Sequence, residues 1–444
     1  MSRFEELVEV ARAQMDGLSI PGASLGILFE GEEEGAVLGV TSIENPLEVT
    51  PDTFFQIGSI TKTFTATALM RLEERGDAEL DAPVRIYLPE FRLSDEDVSA
   101  RVTVRQLLTH TGGWLGDYFD DFGRGDDALA KYVDALAEQP QLTPLGAVYA
   151  YNNAAFGIAG RVIEVLTRQP YEQALGELVL DPLGLEAAYF FADDVITHRF
   201  VVGHDRDDAG ETTVARPWPI GRASHPAGGL ITTVPELLRY ARFWIDGGDL
   251  LSPESVEEMA LPQVPIGGKV DAVGLAWMLR TLDGVKVIRH EGGTKGQSTA
   301  LVIAPEQRFA LAVFTNHSYG GALVDRVVEK ACEAYLGVRE PELEPVELDP
   351  APYLGRYTSR MADIELVATD SGIELRYLPR GGFPTPDTPP MPPPPPASVR
   401  FASEDELFAV DELWKGERML FLRDADGRIE WLRAGGRVFA PAGS

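Results

Sequence analysis

What most limits the fold of this 444-residue chain is where its strand-patterned stretches fall. "ASLGILFEGEEEGAVLGV", Ala23 to Val40, reads as two strands joined by an acidic turn. Strand character returns in "GVKVIRHEGGTKGQSTALVIAPEQRFALAVFTN", Gly284 to Asn316, which reads as three short strands with Gly-containing turns and a "PEQR" turn. From about residue 59 to 245 the pattern is mostly helical. Apolar residues recur at Ile60, Phe64, Ala68, Leu69 and Leu72 up to a stop at Gly76, and Phe156, Ala159, Ile163 and Leu166 mark a helix after Asn153. A closing helix is expected from Ala322 to Tyr335. Strands at both ends with helices between them predict an α/β (α+β) fold, with one antiparallel sheet built from both termini and an all-helical subdomain.

Beyond that unit, "GVREPELEPVELDPAP" is rich in Pro and Glu and reads as a linker. Stretches such as "YLGRYTSR" and "RMLFLRDADGRIEWLRAGGRVFAP" then alternate like short strands, which predicts a small all-β, barrel-like unit. The expected division is a first domain over 1–337, a linker over 338–349 and a β domain over 350–444. The Pro-rich run at 384–396 offers few backbone donors and reads as polyproline II or a flexible loop, with a partner-docking segment as the other reading.

Charge narrows the partners. Lys and Arg number 39 against 70 Asp and Glu, a net charge of −31. That argues against nucleic acid and anionic membrane surfaces, and favours cationic over anionic small molecules. No apolar run is long enough to span a bilayer. The opening "MSRFEELVEVARAQM" reads as a surface helix without the apolar core of a secretion signal, so a cytoplasmic protein is expected. Cys332 is the only cysteine, which excludes a disulfide framework and a Cys-rich zinc site; its neighbours Val327, Val328 and Tyr335 predict a buried thiol. No metal and no cofactor are expected.

Three motifs carry chemistry. Ser59 and Lys62, in "FFQIGSITKTFTATALM", form the chain's one S-x-x-K. At i and i+3 of a helix start the two side chains share a face, while the helix dipole and burial both disfavour the lysine charge. A neutral lysine beside a serine hydroxyl is a general base beside a nucleophile. Tyr151-Asn152-Asn153 is the one Y-x-N: a phenol that can relay a proton and an amide that can hold a carbonyl. Taken alone, Asn153 also suits the cap of the helix that follows. In "RHEGGTKG", His290 ends a strand, and Gly292 and Gly293 let backbone N–H groups approach a ligand closely. The other H-x-G, His110-Thr111-Gly112, follows helical "VRQLL" and is assigned a structural place in a loop.

S-x-x-K, Y-x-N and a strand-borne H-x-G, in this order, resemble the serine β-lactamase and penicillin-binding-protein superfamily. The nearest branch is the class C β-lactamase-like group of esterases, D-aminopeptidases and carboxypeptidases. "QLLTHTGGW", "YNNAAFGIAGRVIE" and "HPAGGLITTVPEL" add to the resemblance, which covers about residues 5 to 336. It implies a serine hydrolase working through an acyl-enzyme on small esters or on short amides or peptides, D-residues included. A β-lactamase or D-Ala-D-Ala carboxypeptidase is the alternative, and a non-catalytic scaffold the alternative of another class. By the resemblance Ser59 is the nucleophile, Lys62 its base, and Tyr151 the proton donor to the leaving group. Asn153 then orients the acyl side chain, the N–H groups of Ser59 and Gly293 form the oxyanion hole, and His290 stands where β-lactamases of this type usually carry lysine. The C-terminal unit resembles the lipocalin-like domains of some peptidases in the family, which line the site or build homo-oligomers.

Overall fold

The computed structural model describes residues 1–370, 372–411 and 413–443. Helix α1 (Arg3–Leu18) starts at a capping box in which Ser2 and Glu5 satisfy each other's backbone N–H groups. Strands β1 (Gly22–Phe29) and β2 (Glu32–Gly39) follow as a hairpin. Late in the chain come β3 (Val264–Gly267), β4 (Val270–Val273), β5 (Met278–Leu282), β6 (Val285–Thr294), β7 (Gln297–Ala304) and β8 (Phe309–Thr315). They form one antiparallel sheet in the order β2-β1-β8-β7-β6-β5-β4-β3. Ala23 opposes Thr315 and Phe29 opposes Phe309, so the sheet is closed by pairing strands from the two ends of the unit.

Every residue of β8 is buried because both faces of the sheet are covered. Leu311 and Val313 pack with Phe4, Leu7 and Val327, under α1 and the closing helix Gly320–Ala331. Ala310, Ala312 and Phe314 face the other way, into a larger core shared with the helical block. A strand covered on both faces loses its apolar–polar alternation, which is why "FALAVFT" reads as a continuous apolar run. Cys332 is buried at the end of the closing helix, and burial pushes its thiol up to about 11.

Helix α2 (Thr61–Glu74) buries more than its recurring apolar residues Phe64, Ala68, Leu69 and Leu72. It is buried on all sides from Thr61 to Met70, because its threonines satisfy their own hydroxyls. Thr65 bonds the Tyr171 hydroxyl at 2.7 Å, and Thr67 the Tyr240 hydroxyl at 3.1 Å. Such a helix can run through a core without an apolar stripe.

From Gly355 to Pro441 eight strands close into an antiparallel barrel, the last (Arg437–Pro441) pairing with the first (Gly355–Thr358). Its interior is apolar, with Ile364, Leu366, Val399, Phe401, Phe421 and Leu432 buried inside. The barrel sits against the β3–β4 hairpin. Arg433 donates to the Ile266 carbonyl, Arg418 to the Gly268 carbonyl at 3.2 Å, and Lys269 pairs with Glu417 at 3.8 Å. The Pro-rich run is neither helix nor strand; Pro392 and Pro394 line a cavity together with sheet and barrel residues, and Phe383 just before the run stands edge-on to Phe119 at 4.8 Å.

Candidate active site

The turn Gly58–Ile60 leads into α2 and holds Ser59 against the edge of β6. Two glycines allow that approach. Gly58 adopts a positive φ of 52°, and a Cβ on it would meet the Gly293 nitrogen at 2.7 Å. A Cβ on Gly292 would meet the Ile57 carbonyl oxygen at 1.9 Å. Gly293 has no such crowding, since nothing lies within 4 Å of a Cβ built on it. Only the first glycine of the H-x-G-G stretch is therefore demanded by packing. Thr299 ties the two elements together by donating to the Ile57 carbonyl at 3.0 Å.

Lys62 is fully buried, and its Nζ has three neighbours. It donates to Asn153 Oδ1 at 2.7 Å and to the Ala227 carbonyl at 2.6 Å, and lies 3.0 Å from Ser59 Oγ. The first two partners can only accept, so they occupy two N–H groups. In a neutral amine the remaining position is the lone pair, and it faces the serine hydroxyl. Burial, with Arg437 adding to it and Asp117 opposing it, holds the Lys62 pKa well below that of an ordinary lysine. Burial pushes the Tyr151 pKa up, against a smaller lowering by the neighbouring Ser59 hydroxyl, so Tyr151 stands beside Ser59 as a neutral phenol. This arrangement can take a proton from Ser59 at one side and offer one from the other.

Asn153 does not cap its helix. The cap of helix α3 (Asn153–Thr167) is Asn152, whose Oδ1 accepts from the Ala155 N–H at 2.8 Å. That frees the Asn153 amide, which donates through Nδ2 to Asp117 Oδ1 at 2.8 Å and so turns Oδ1 toward Lys62. Asp117 in turn accepts from Arg437 Nε at 2.6 Å, and Arg437 comes from the barrel. The same barrel hairpin accepts the Tyr151 N–H at the Gly436 carbonyl, 2.9 Å away, and Arg437 lies 5.1 Å over the Tyr151 ring.

The structure brings Ser59, Lys62, Tyr151 and Asn153 together, with Gly292, Gly293 and His290 on the same cavity wall as Ser59 and Tyr151. His290 is 2% exposed; its Nδ1 donates to the Glu291 carbonyl at 2.6 Å, and its Nε2 has no partner among the described residues. Burial, and then the Lys62 charge, lower its pKa to about 4. It is neutral at pH 7, and its free nitrogen accepts rather than donates. His110, expected in a structural loop, lies in one at a positive φ, but right beside the site. It stacks on Tyr151 at 4.4 Å, and its Nδ1 accepts the Asn152 N–H at 2.9 Å.

Three partners escaped the sequence reading: Asp117, the Ala227 carbonyl and Arg437. The Gly435-Gly436 turn before Arg437 was the one available signal, since it lets a hairpin tip enter a crowded site. Ser59 stands where two cavities meet, one of about 680 Å³ and one of about 580 Å³.

The β-lactamase family model matches residues 7–331. Penicillin-binding protein 4 of Amycolatopsis lactamdurans is 32% identical over 356 residues, covering 76% of this chain and 93% of that protein. The solved structure of SurE with D-Leu superposes with a TM-score of 0.73 at 25% identity, over 99% of both chains. The octameric penicillin-binding protein homologue from Pyrococcus abyssi gives 0.68 at 24% identity, over 95% of this chain and 96% of that one. The fold is thus that of the serine-acylating hydrolases. This chain belongs to the β-lactamase family and is a serine hydrolase of the β-lactamase and penicillin-binding-protein kind.

Proposed function

We propose that Ser59 is the acylated nucleophile, with Lys62 its base and Tyr151 the acid that protonates the leaving group. In this reading Asn153 holds the acyl group, the N–H groups of Ser59 and Gly293 bind the oxyanion, and His290 faces the leaving-group side. The substrates are esters and short amides or peptides with a D-residue on the acyl side. The observation that carries the reading is the Lys62 amine, which has two protons committed to Asn153 and Ala227 and its third position 3.0 Å from Ser59 Oγ. The D-residue is supported by SurE, solved with D-Leu.

His290 weighs against β-lactams. A neutral ring with an acceptor nitrogen offers a carboxylate no charge-assisted hydrogen bond. Losing one costs about 1.5–3 kcal/mol, on the order of ten- to a hundred-fold. The test is a fluorophosphonate probe followed by a side-by-side assay of p-nitrophenyl esters, D- and L-aminoacyl anilides and nitrocefin. Labelling confined to Ser59 and a preference for esters and D-aminoacyl anilides are expected. A wide preference for nitrocefin would put the β-lactamase alternative in its place.

The division at 337 and 349 belongs to the same reading, supported by a stretch over 338–350 with no helix or strand. So do the homo-oligomer and the cytoplasmic location. Among the described residues no helix is long and apolar enough to cross a membrane.

A further inference from the structure

The cavity of about 580 Å³ beside Ser59 runs into the barrel. One wall is Ser59, Asn153 and Gly293; the far wall is the barrel's own interior, at Ala362, Ala397, Ala409, Ala434, Met419 and Phe439. These barrel side chains are buried or nearly so, yet they line open space. The opposite end of the barrel is filled. Tyr353 packs its ring against Phe401 and Phe421, each at 4.8 Å, and closes it. Eight strands make an interior that side chains just fill or that holds one small ligand. Here four alanines at inward positions leave the end nearest Ser59 empty, while aromatic rings plug the other.

The two cavities differ in character and in which part of the site they share. The larger is walled by Tyr151 and His290 and carries Arg289 and Arg433; Arg418 lines both cavities. The smaller is walled by Asn153 and is chiefly apolar, although Asp117, Glu417, Arg418 and Arg437 also line it. With Tyr151 on the leaving-group side and Asn153 on the acyl side, the apolar cavity belongs to the acyl group.

We infer that the open mouth of the barrel is an acyl-binding subsite, which takes a long apolar acyl chain or a large apolar acyl-side residue of the substrate esterified to Ser59. The inference rests on the proposed roles of Ser59, Tyr151 and Asn153. It adds a specificity determinant that the hydrolase sheet and helices do not contain.

A chain-length series with a constant leaving group tests it: p-nitrophenyl acetate, butyrate, hexanoate and octanoate on the full-length protein. Catalytic efficiency should rise by roughly fourfold per added methylene until the mouth is full, as expected for burial of each CH₂. Ala409→Leu fills the mouth from within and should lower the octanoate-to-acetate ratio by about tenfold or more, since at least two methylenes lose their place. Met391 is 38% exposed and lines both cavities, so a polar replacement there leaves no polar group in a closed core. Met391→Glu should lower the same ratio in a protein that folds normally even where Ala409→Leu does not. An efficiency that is flat or falls with chain length, or a ratio unmoved in both variants, overturns the barrel subsite while leaving the hydrolase reading intact. Acetate turnover that persists undiminished in Ser59→Ala removes that reading, and the subsite with it.

Discussion

In the proposed mechanism Lys62 is a costly residue turned into a reagent. An ammonium in a core is unfavourable, so the group is pushed toward the amine it must be to act as a base. The pH profile follows from the sign of that shift. The active form is deprotonated, so catalytic efficiency should rise with pH through the depressed Lys62 pKa. His290 titrates near 4 and His110 is also held low, both first by burial, so neither should add an inflection near 6.5. Lys62→Arg keeps a charge but supplies no base, and should lose about a thousand-fold or more in efficiency. Steady-state kinetics on an activated ester decides it, and wild-type rates in the arginine variant would remove Lys62 from the mechanism. The contact itself was legible in the sequence. Ser59 and Lys62 are three residues apart across the turn that opens α2, so their contact is fixed by local geometry.

Elements are held in place by groups the motifs do not contain. The Ala227 carbonyl that orders Lys62 sits on the short helix His225–Gly228, and that helix is pinned by Glu172. The Glu172 carboxylate accepts from His225 Nδ1 at 2.6 Å and from Arg222 at 2.9 and 3.1 Å. Although burial alone would raise its pKa, these bonds hold it at about 2, against an ordinary value of 4.5. A depressed carboxylate contributes its full stability above its unfolded pKa and loses it as the pH falls through the folded one. Glu172→Gln should therefore destabilise by about 3 kcal/mol at neutral pH, as for one partner removed from a buried pair. The deficit should stay constant down to about pH 4.5 and fade toward pH 2. Urea unfolding at a series of pH values measures it, and equal midpoints at pH 7 would show that the cluster does not brace the helix. None of this was visible in the chain's pattern. Five of the sheet's eight strands were, because strand periodicity and turn glycines are local; the short strands between Val264 and Leu282 were not.

At the scale of the whole molecule the site is completed by the barrel. Arg437 and Asp117 lie 320 positions apart, and no spacing rule links them. Their pairing requires the barrel to be docked, a fact of assembly rather than of local sequence. Around Lys62, Tyr151 is a neutral phenol and His110 and His290 are neutral rings, which leaves Arg437 and Asp117 as the charges that tune it. Arg437 lowers the Lys62 pKa directly, and it also balances Asp117, which raises it. Arg437→Met should thus remove one influence and unmask the other, both in the same direction. The acid limb of catalytic efficiency should move up by about one pH unit, with roughly a tenfold loss on its acidic side. Arg437→Lys keeps the charge without the two-pronged grip on Asp117, and should recover part of the shift. A hairpin that merely packed against the hydrolase unit would behave otherwise: Arg437→Met would lower the melting temperature and leave the pH profile where it was. A displaced profile, whatever the broken Asp117 pair does to the melting temperature, is the result expected of a barrel that sets the chemistry of a lysine in the helical block.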